Sequence, residues 1–188
     1  MAITRWAVET SINACIEAAS KANPDDVARH FPHSDRWISS LLLSHIFTVA
    51  VPAANLPVAL QFVRRAEAAL LAYSALAAEI AKFALEPGLW RFYFSALSQA
   101  EIAISSLYQA RYLAAKKFDL QQFSKGDGSD VQRLDELYNA IKHIPAEDKE
   151  PVWLSDFRLE SASAKLSYSE FEEILGRTAG MAQSISGI

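Results

Sequence analysis

A mainly α fold, an up-and-down bundle of about six helices with a small β-hairpin before the last helix, is predicted by three observations. Alanine is abundant, while 188 residues hold only 6 glycines and 7 prolines. Alanine loses no side-chain entropy in a helix, and glycine and proline are the residues that break one. Apolar residues also recur every three or four positions through most of the chain. Only residues 151–168 depart from that pattern, with aromatics alternating with polar residues as in a short hairpin. Half of the chain is hydrophobic (51%) and 21% is charged, a globular rather than a disordered balance. The length suits one domain spanning 1–188.

The elements follow in order. Ile3, Trp6, Ala7, Thr10, Ala14 and Ala18 share a face, with Arg5, Glu9 and Glu17 elsewhere, so a helix is expected over 3–21. Asn23, Pro24, Asp25 and Asp26 end it and cap a short turn at 25–30, and Phe31, Pro32 and His33 form a loop. Ser34 is expected to cap a helix reaching about Val49, with Asp35 in its first turn. After a break at 50–55, Asn55 caps a helix to about Leu85, and Pro57 is tolerated in its first turn. Leu56, Leu60, Val63, Leu70, Ala77, Ile80 and Ala84 form its apolar stripe; Arg64, Arg65, Glu67, Glu79 and Lys82 its wet face.

Glu86, Pro87 and Gly88 stop that helix. The next runs from about Leu89 to Phe118, roughly 45 Å at 1.5 Å per residue. Trp90, Phe92, Tyr93, Phe94, Leu97, Ile102, Ile104, Leu107, Tyr108, Tyr112 and Leu113 surround most of its circumference. Such a helix is central in a bundle or buried against a second subunit. Together with the apolar helix 34–49 it predicts a homodimer. Lys125 to Gly128 form a loop, and Ser129 with Gln132 makes a capping box that starts a helix at 130. Pro145 ends it near His143. Ser169 with Glu172 makes a second box, opening the last helix at 170, which runs to about Ser184.

Composition limits the function classes. The net charge of −4 gives no global basic field to recruit nucleic acid, so any cationic patch must be local. Cys15 is the only cysteine, which excludes an intramolecular disulfide and a multi-cysteine metal site and suits a reducing, cytoplasmic setting. Its neighbours Ala14 and Ile16 suggest a small buried residue. Residues Met1 to Arg5 are followed by no apolar run, so no secretory signal is expected. Between Arg36 and Arg64 there is no Asp, Glu, Lys or Arg. That stretch could span a bilayer by length. It also holds His45, Asn55, four serines or threonines, Pro52 and Pro57, so we expect a buried or interface helix and no membrane span.

Polar chemistry gathers most tightly in Leu137, Tyr138, Asn139, Ala140, Ile141, Lys142 and His143. Asp135, Asn139 and His143 stand four apart, and Lys142 lies between the last two rows. Leu134, Leu137, Tyr138 and Ile141 fill the opposite side. Histidine exchanges a proton near neutral pH, lysine holds a phosphate, and an amide orients either. The competing reading is that Lys142 and His143 only complement the negative end of the helix, with Asn139 a solvated residue.

The run Tyr138-Asn139-Ala140-Ile141-Lys142-His143 resembles the C-terminal helix motif of the HEPN superfamily, the helical nucleotide-binding proteins of prokaryotic defence and stress systems. That motif has an arginine, usually a small polar residue next, and a histidine four to six residues after the arginine. Asn139 and His143 match its last two members. The order of elements is also similar: a long helical hairpin, a short motif-bearing helix and a closing helix. The resemblance implies a dimerising bundle whose two motif helices share one cleft. In catalytic members, the arginine and histidine cleave RNA without metal, through the ribose 2′-hydroxyl.

Tyr138 occupies the arginine position, and a phenol carries no permanent positive charge. The resemblance therefore implies binding of RNA or a nucleotide by Tyr138, Asn139, Lys142 and His143, with little or no cleavage. A second reading is a metal-independent endoribonuclease using His143 with Arg133 or Arg111. Arg111 also reads simply as a surface residue beside Lys116 and Lys117. A third is a non-catalytic protein-interaction subunit. His30, His33 and Asp26 are weak metal candidates. No Glu-x-x-His pair, phosphate loop or nucleophile elbow occurs, and no cofactor is expected. His45 reads as a hydrogen-bonded core residue.

Overall fold

The computed structural model describes residues 14, 16–48, 51–118, 123–143 and 152–188. Most of the helix expected over 3–21, and Cys15 with it, lies outside these residues. Within them, 16–19 are helical, and Ile16 and Ala19 are buried in the core. Five α-helices follow: α1 (Trp37–Thr48), α2 (Leu56–Leu85), α3 (Trp90–Lys117), α4 (Asp130–Lys142) and α5 (Tyr168–Ser186). Between α4 and α5 lie β1 (Trp153–Leu154), β2 (Arg158–Glu160) and β3 (Lys165–Ser167). The chain is mainly α, as its composition predicts.

The α2–α3 hairpin is the frame. Glu86 closes α2 by donating its N–H to the Lys82 carbonyl, and Pro87 and Gly88 reverse the chain. The helices meet along a seam of small residues, with Ala66 and Ala69 on one side and Ala96, Ala100, Ala103 and Ala110 on the other, all fully buried. Methyl-sized side chains let two helix axes approach closely. Larger residues flank the seam, including Phe62, Tyr73, Phe83, Tyr93 and Leu107. Each such burial stabilises by about 1.5–3 kcal/mol against exposure. Ala84, expected on the apolar stripe of α2, is exposed. The stretch Ala53–Leu85 is long enough to cross a membrane and contains an 18-residue window of mean hydropathy 1.5. Here its apolar face is the core of the bundle, against α3, α5 and α1.

Several starts and stops differ from expectation. Ser34 is not a cap: it opens a 3-10 turn, Ser34–Arg36, that leads into α1, and it is buried. Asn55 precedes α2 without a capping bond from its side chain. Asp26 does cap the short turn Val27–His30, accepting from the Ala28 N–H. The box at the start of α5 is Ser167 with Glu170 rather than Ser169 with Glu172, so α5 begins two residues earlier than expected. The serine hydroxyl accepts the Glu170 N–H, and the Glu170 carboxylate accepts the Ser167 N–H. Gly187, with φ 75°, ends α5 in the left-handed conformation that a glycine adopts without strain.

Residues 153–167 form a three-stranded antiparallel sheet in the order β1-β2-β3, one strand more than a hairpin. Leu154 pairs with Leu159 and Leu159 with Leu166, so one buried row of leucines runs across all three strands. Strands of two or three residues are too short to show an alternation that identifies each one. The Tyr93 hydroxyl joins the sheet to α3: it donates to the Leu154 carbonyl and accepts the Leu154 N–H, each at 3.3 Å. Glu172 joins the N-terminal turn to α2 and α5, accepting from the Asp25 N–H at 2.7 Å and the Tyr73 hydroxyl at 2.8 Å.

Candidate ligand-binding site

Helix α4 is amphipathic by sequence and packs accordingly. Leu134, Leu137 and Ala140 are buried against the bundle. Ser129 caps it by accepting the Gln132 N–H at 3.2 Å. The Gln132 side chain does not close the reciprocal box. Its carbonyl accepts the Gly126 and Gly128 N–H groups instead, which fixes the loop before the helix.

Two polar rows flank the buried face. On one, the Asn139 amide donates to Asp135 at 3.1 Å, as their four-residue spacing allows. Asp135 also accepts from the hydroxyl of Tyr108, which lies on α3. Burial first, then the Asp135 charge and this hydrogen bond, push the Tyr108 phenol up to about 12, so it stays a protonated donor. Tyr138 stacks on Tyr108 with ring centroids 4.1 Å apart and planes 14° from parallel. Tyr108 in turn lies 6.3 Å from Tyr112 at 21°. The Lys116 ammonium sits 4.3 Å above the Tyr112 ring, a cation–π contact. These three α3 residues are four apart, on one row of that helix.

Lys142 and His143 finish α4. His143 is its C-cap, and its backbone N–H reaches the Asn139 carbonyl. Both side chains are exposed. Among the described residues neither makes a hydrogen bond or an ion pair. Of the expected site, Tyr138 and Asn139 thus meet in one cluster with Asp135, while Lys142 and His143 project at the helix end beside it.

The other row faces α5 and is closed by ion pairs. The Arg133 guanidinium binds Glu170 at 2.6 Å and donates to the Gly128 carbonyl. Burial opposes the charge on Glu170, but the Ser167 hydrogen bonds and Arg133 prevail and hold its carboxyl below the ordinary range. Arg177 of α5 binds Asp130 at 2.6 Å. Arg111, read from sequence as a surface residue, is only 9% exposed. Burial and the nearby Arg177 lower its pKa, partly offset by Asp130. An arginine between Ala110 and Tyr112, a turn before Lys116 and Lys117, reads locally as part of a wet face. The cue to its burial is the row it shares with Leu107 and Ala114, four residues before it and three after, both buried.

Arg133 and His143 are ten residues apart, about 15 Å along a helix axis. His45 is half-buried, and its Nδ1 has no hydrogen-bond partner, contrary to the satisfied core residue expected. His30 lies 3.8 Å from Asp25 rather than against Asp26 and His33. Among the described residues no three His, Cys, Asp or Glu side chains converge on one point. A cavity of about 330 Å³ opens between residues 16–20 and the α2–α3 turn, with Phe83 and Trp90 in its wall. It contains none of the residues expected in the site.

The chain matches no protein-family model, and no curated protein and no solved structure is significantly similar to it.

Proposed function

We propose that this is a HEPN-like helical protein that binds RNA or a nucleotide through Tyr138, Asn139, Lys142 and His143, with little or no cleavage, and that it acts as a homodimer. One observation carries the reading. The parallel Tyr108 and Tyr138 rings, the Asp135–Asn139 amide pair and two exposed cationic or protonatable side chains lie along the C-terminal half of α4. A π-face, hydrogen-bonding groups and a cation are what a nucleotide needs for its base and phosphate. Weak catalysis follows from Tyr138, which supplies no charge where the resembling motif has an arginine, and from Arg133, which is occupied by Glu170.

Labelled RNA incubated with the purified protein, with and without His143→Ala, tests this. Binding that weakens several-fold in the variant, without cleavage by either protein, is the expected result. Cleavage abolished by His143→Ala would replace the reading with an active ribonuclease. No shift of melting temperature or anisotropy with any RNA or nucleotide would leave a protein-interaction subunit, and the exposed apolar residues of α1 would then be its main feature.

A further inference from the structure

We propose that the row Tyr108–Tyr112–Lys116 on α3, together with Tyr138, is a stacking platform for an unpaired base, so that the nucleic acid taken is single-stranded RNA. The inference rests on the RNA-binding reading above and names the form of ligand that the same site accepts.

Most of the other ring pairs meet edge-on, although Tyr73 and Phe171 stack inside the core at 5.0 Å and 21°. Phe31 with Trp37, Phe62 with Phe118 and Phe83 with Tyr93 meet edge-on, at 81°, 62° and 61°. Edge-on and offset-parallel contacts both fill an interior, so exposure rather than ring angle sets the rim apart. At the α3–α4 rim both ring pairs lie within 21° of parallel and, unlike Tyr73 with Phe171, the row ends on an exposed ring, Tyr112. Leu134, Leu137 and Ala140 already seal α4 to the bundle, and Tyr112 is 41% exposed, so the row extends beyond what packing needs. The Tyr108 ring is held in place by its bond to Asp135, which Asn139 also engages. The platform is therefore set before any ligand arrives.

Chemistry selects the ligand. Every base has a π-face, so parallel tyrosines bind bases with little regard to sequence. A base in a duplex is already stacked on both sides and has no face to offer, whereas an unpaired base does. Lys116 now occupies the ring face of Tyr112. Its long exposed stem lets the ammonium swing from the ring to a phosphate when a base takes its place. Lys117 in the last turn of α3, and Lys142 and His143 at the end of α4, supply further donors for the backbone.

Fluorescence anisotropy with a labelled single-stranded RNA of about a dozen nucleotides, and with the same strand in a duplex, tests the proposal. The protein, Tyr112→Phe, Tyr112→Ala and Lys142→Ala are compared, with far-UV circular dichroism confirming that each is folded. The single strand is expected to bind more tightly than the duplex. Tyr112→Phe should bind like the parent, and Tyr112→Ala roughly tenfold more weakly, the size expected for one lost base stack. If single strand and duplex bind alike and Tyr112→Ala has no effect while Lys142→Ala weakens binding, the platform is overturned and RNA binding stands. If the parent protein binds neither RNA, both fall.

Discussion

Glu170 is the residue on which several local choices converge. It closes the capping box of α5 with Ser167 and pairs with Arg133 of α4, so it joins two helices. Its carboxyl is held below the ordinary range in the folded protein. An unfolded chain then binds protons more readily than the folded one as the pH drops through the ordinary carboxylate range. The stabilisation is complete at neutral pH and is lost as pH falls through the folded-state value. Glu170→Gln should therefore lower the melting temperature at pH 7, with the gap from the parent narrowing below about pH 4. A gap that stays constant down to pH 3 would show that the carboxylate charge is not what matters. Little of this was visible beforehand: Arg133 sits three positions after Asp130 in an ordinary charged helix, and its partner lies 37 residues away.

At the scale of elements, legibility followed the length of the pattern. The α2 helix begins and ends where Pro57, Pro87 and Gly88 place it, and α4 starts at Asp130 as Ser129 implies. Long amphipathic runs average over many positions, so one misleading residue changes little. The cap of α5 was misplaced because serines are crowded there. Ser167 and Ser169 both precede a glutamate by three residues, and only backbone geometry chooses between them. The third strand was hidden because pairing partners, not sequence alternation, define so short a sheet. The candidate site was half legible. Tyr138, Asn139 and Asp135 were found on one helix by spacing, but Tyr108 and Tyr112 belong to another. Their row on α3 looked like core circumference, because sequence alone does not say which face meets the rim.

For the whole molecule, the open question of shape is what covers α1. Trp37 and Leu41 anchor it to the core, while Leu43, Ile46 and Phe47 are 55%, 69% and 79% exposed. No charged residue interrupts residues 37–63 to keep that face wet. An apolar patch of this kind marks an interface more often than bare surface. A second copy would cover it with the same residues through a two-fold axis. Light scattering at micromolar concentration should give the mass of a dimer, and Phe47→Glu should give a monomer of unchanged helicity. A monomeric parent protein would refute the assembly.

The alanine seam between α2 and α3 also sets an order of events in time. Four residues, 86–89, join two helices that touch along much of their length, so the chain closes only a short loop to bring them together. The contacts of Asp25 with Glu172, and of Tyr93 with the sheet, span 147 and 61 residues and cost more chain entropy to form. We predict that the hairpin is structured in the folding transition state and that the sheet docks afterwards. Stopped-flow kinetics should find refolding slowed by Ala103→Gly and unfolding accelerated by Leu159→Ala. The reverse pattern would place the nucleus in the sheet. A seam that costs little to close is thus a kinetic template, on which the rest of the molecule is assembled.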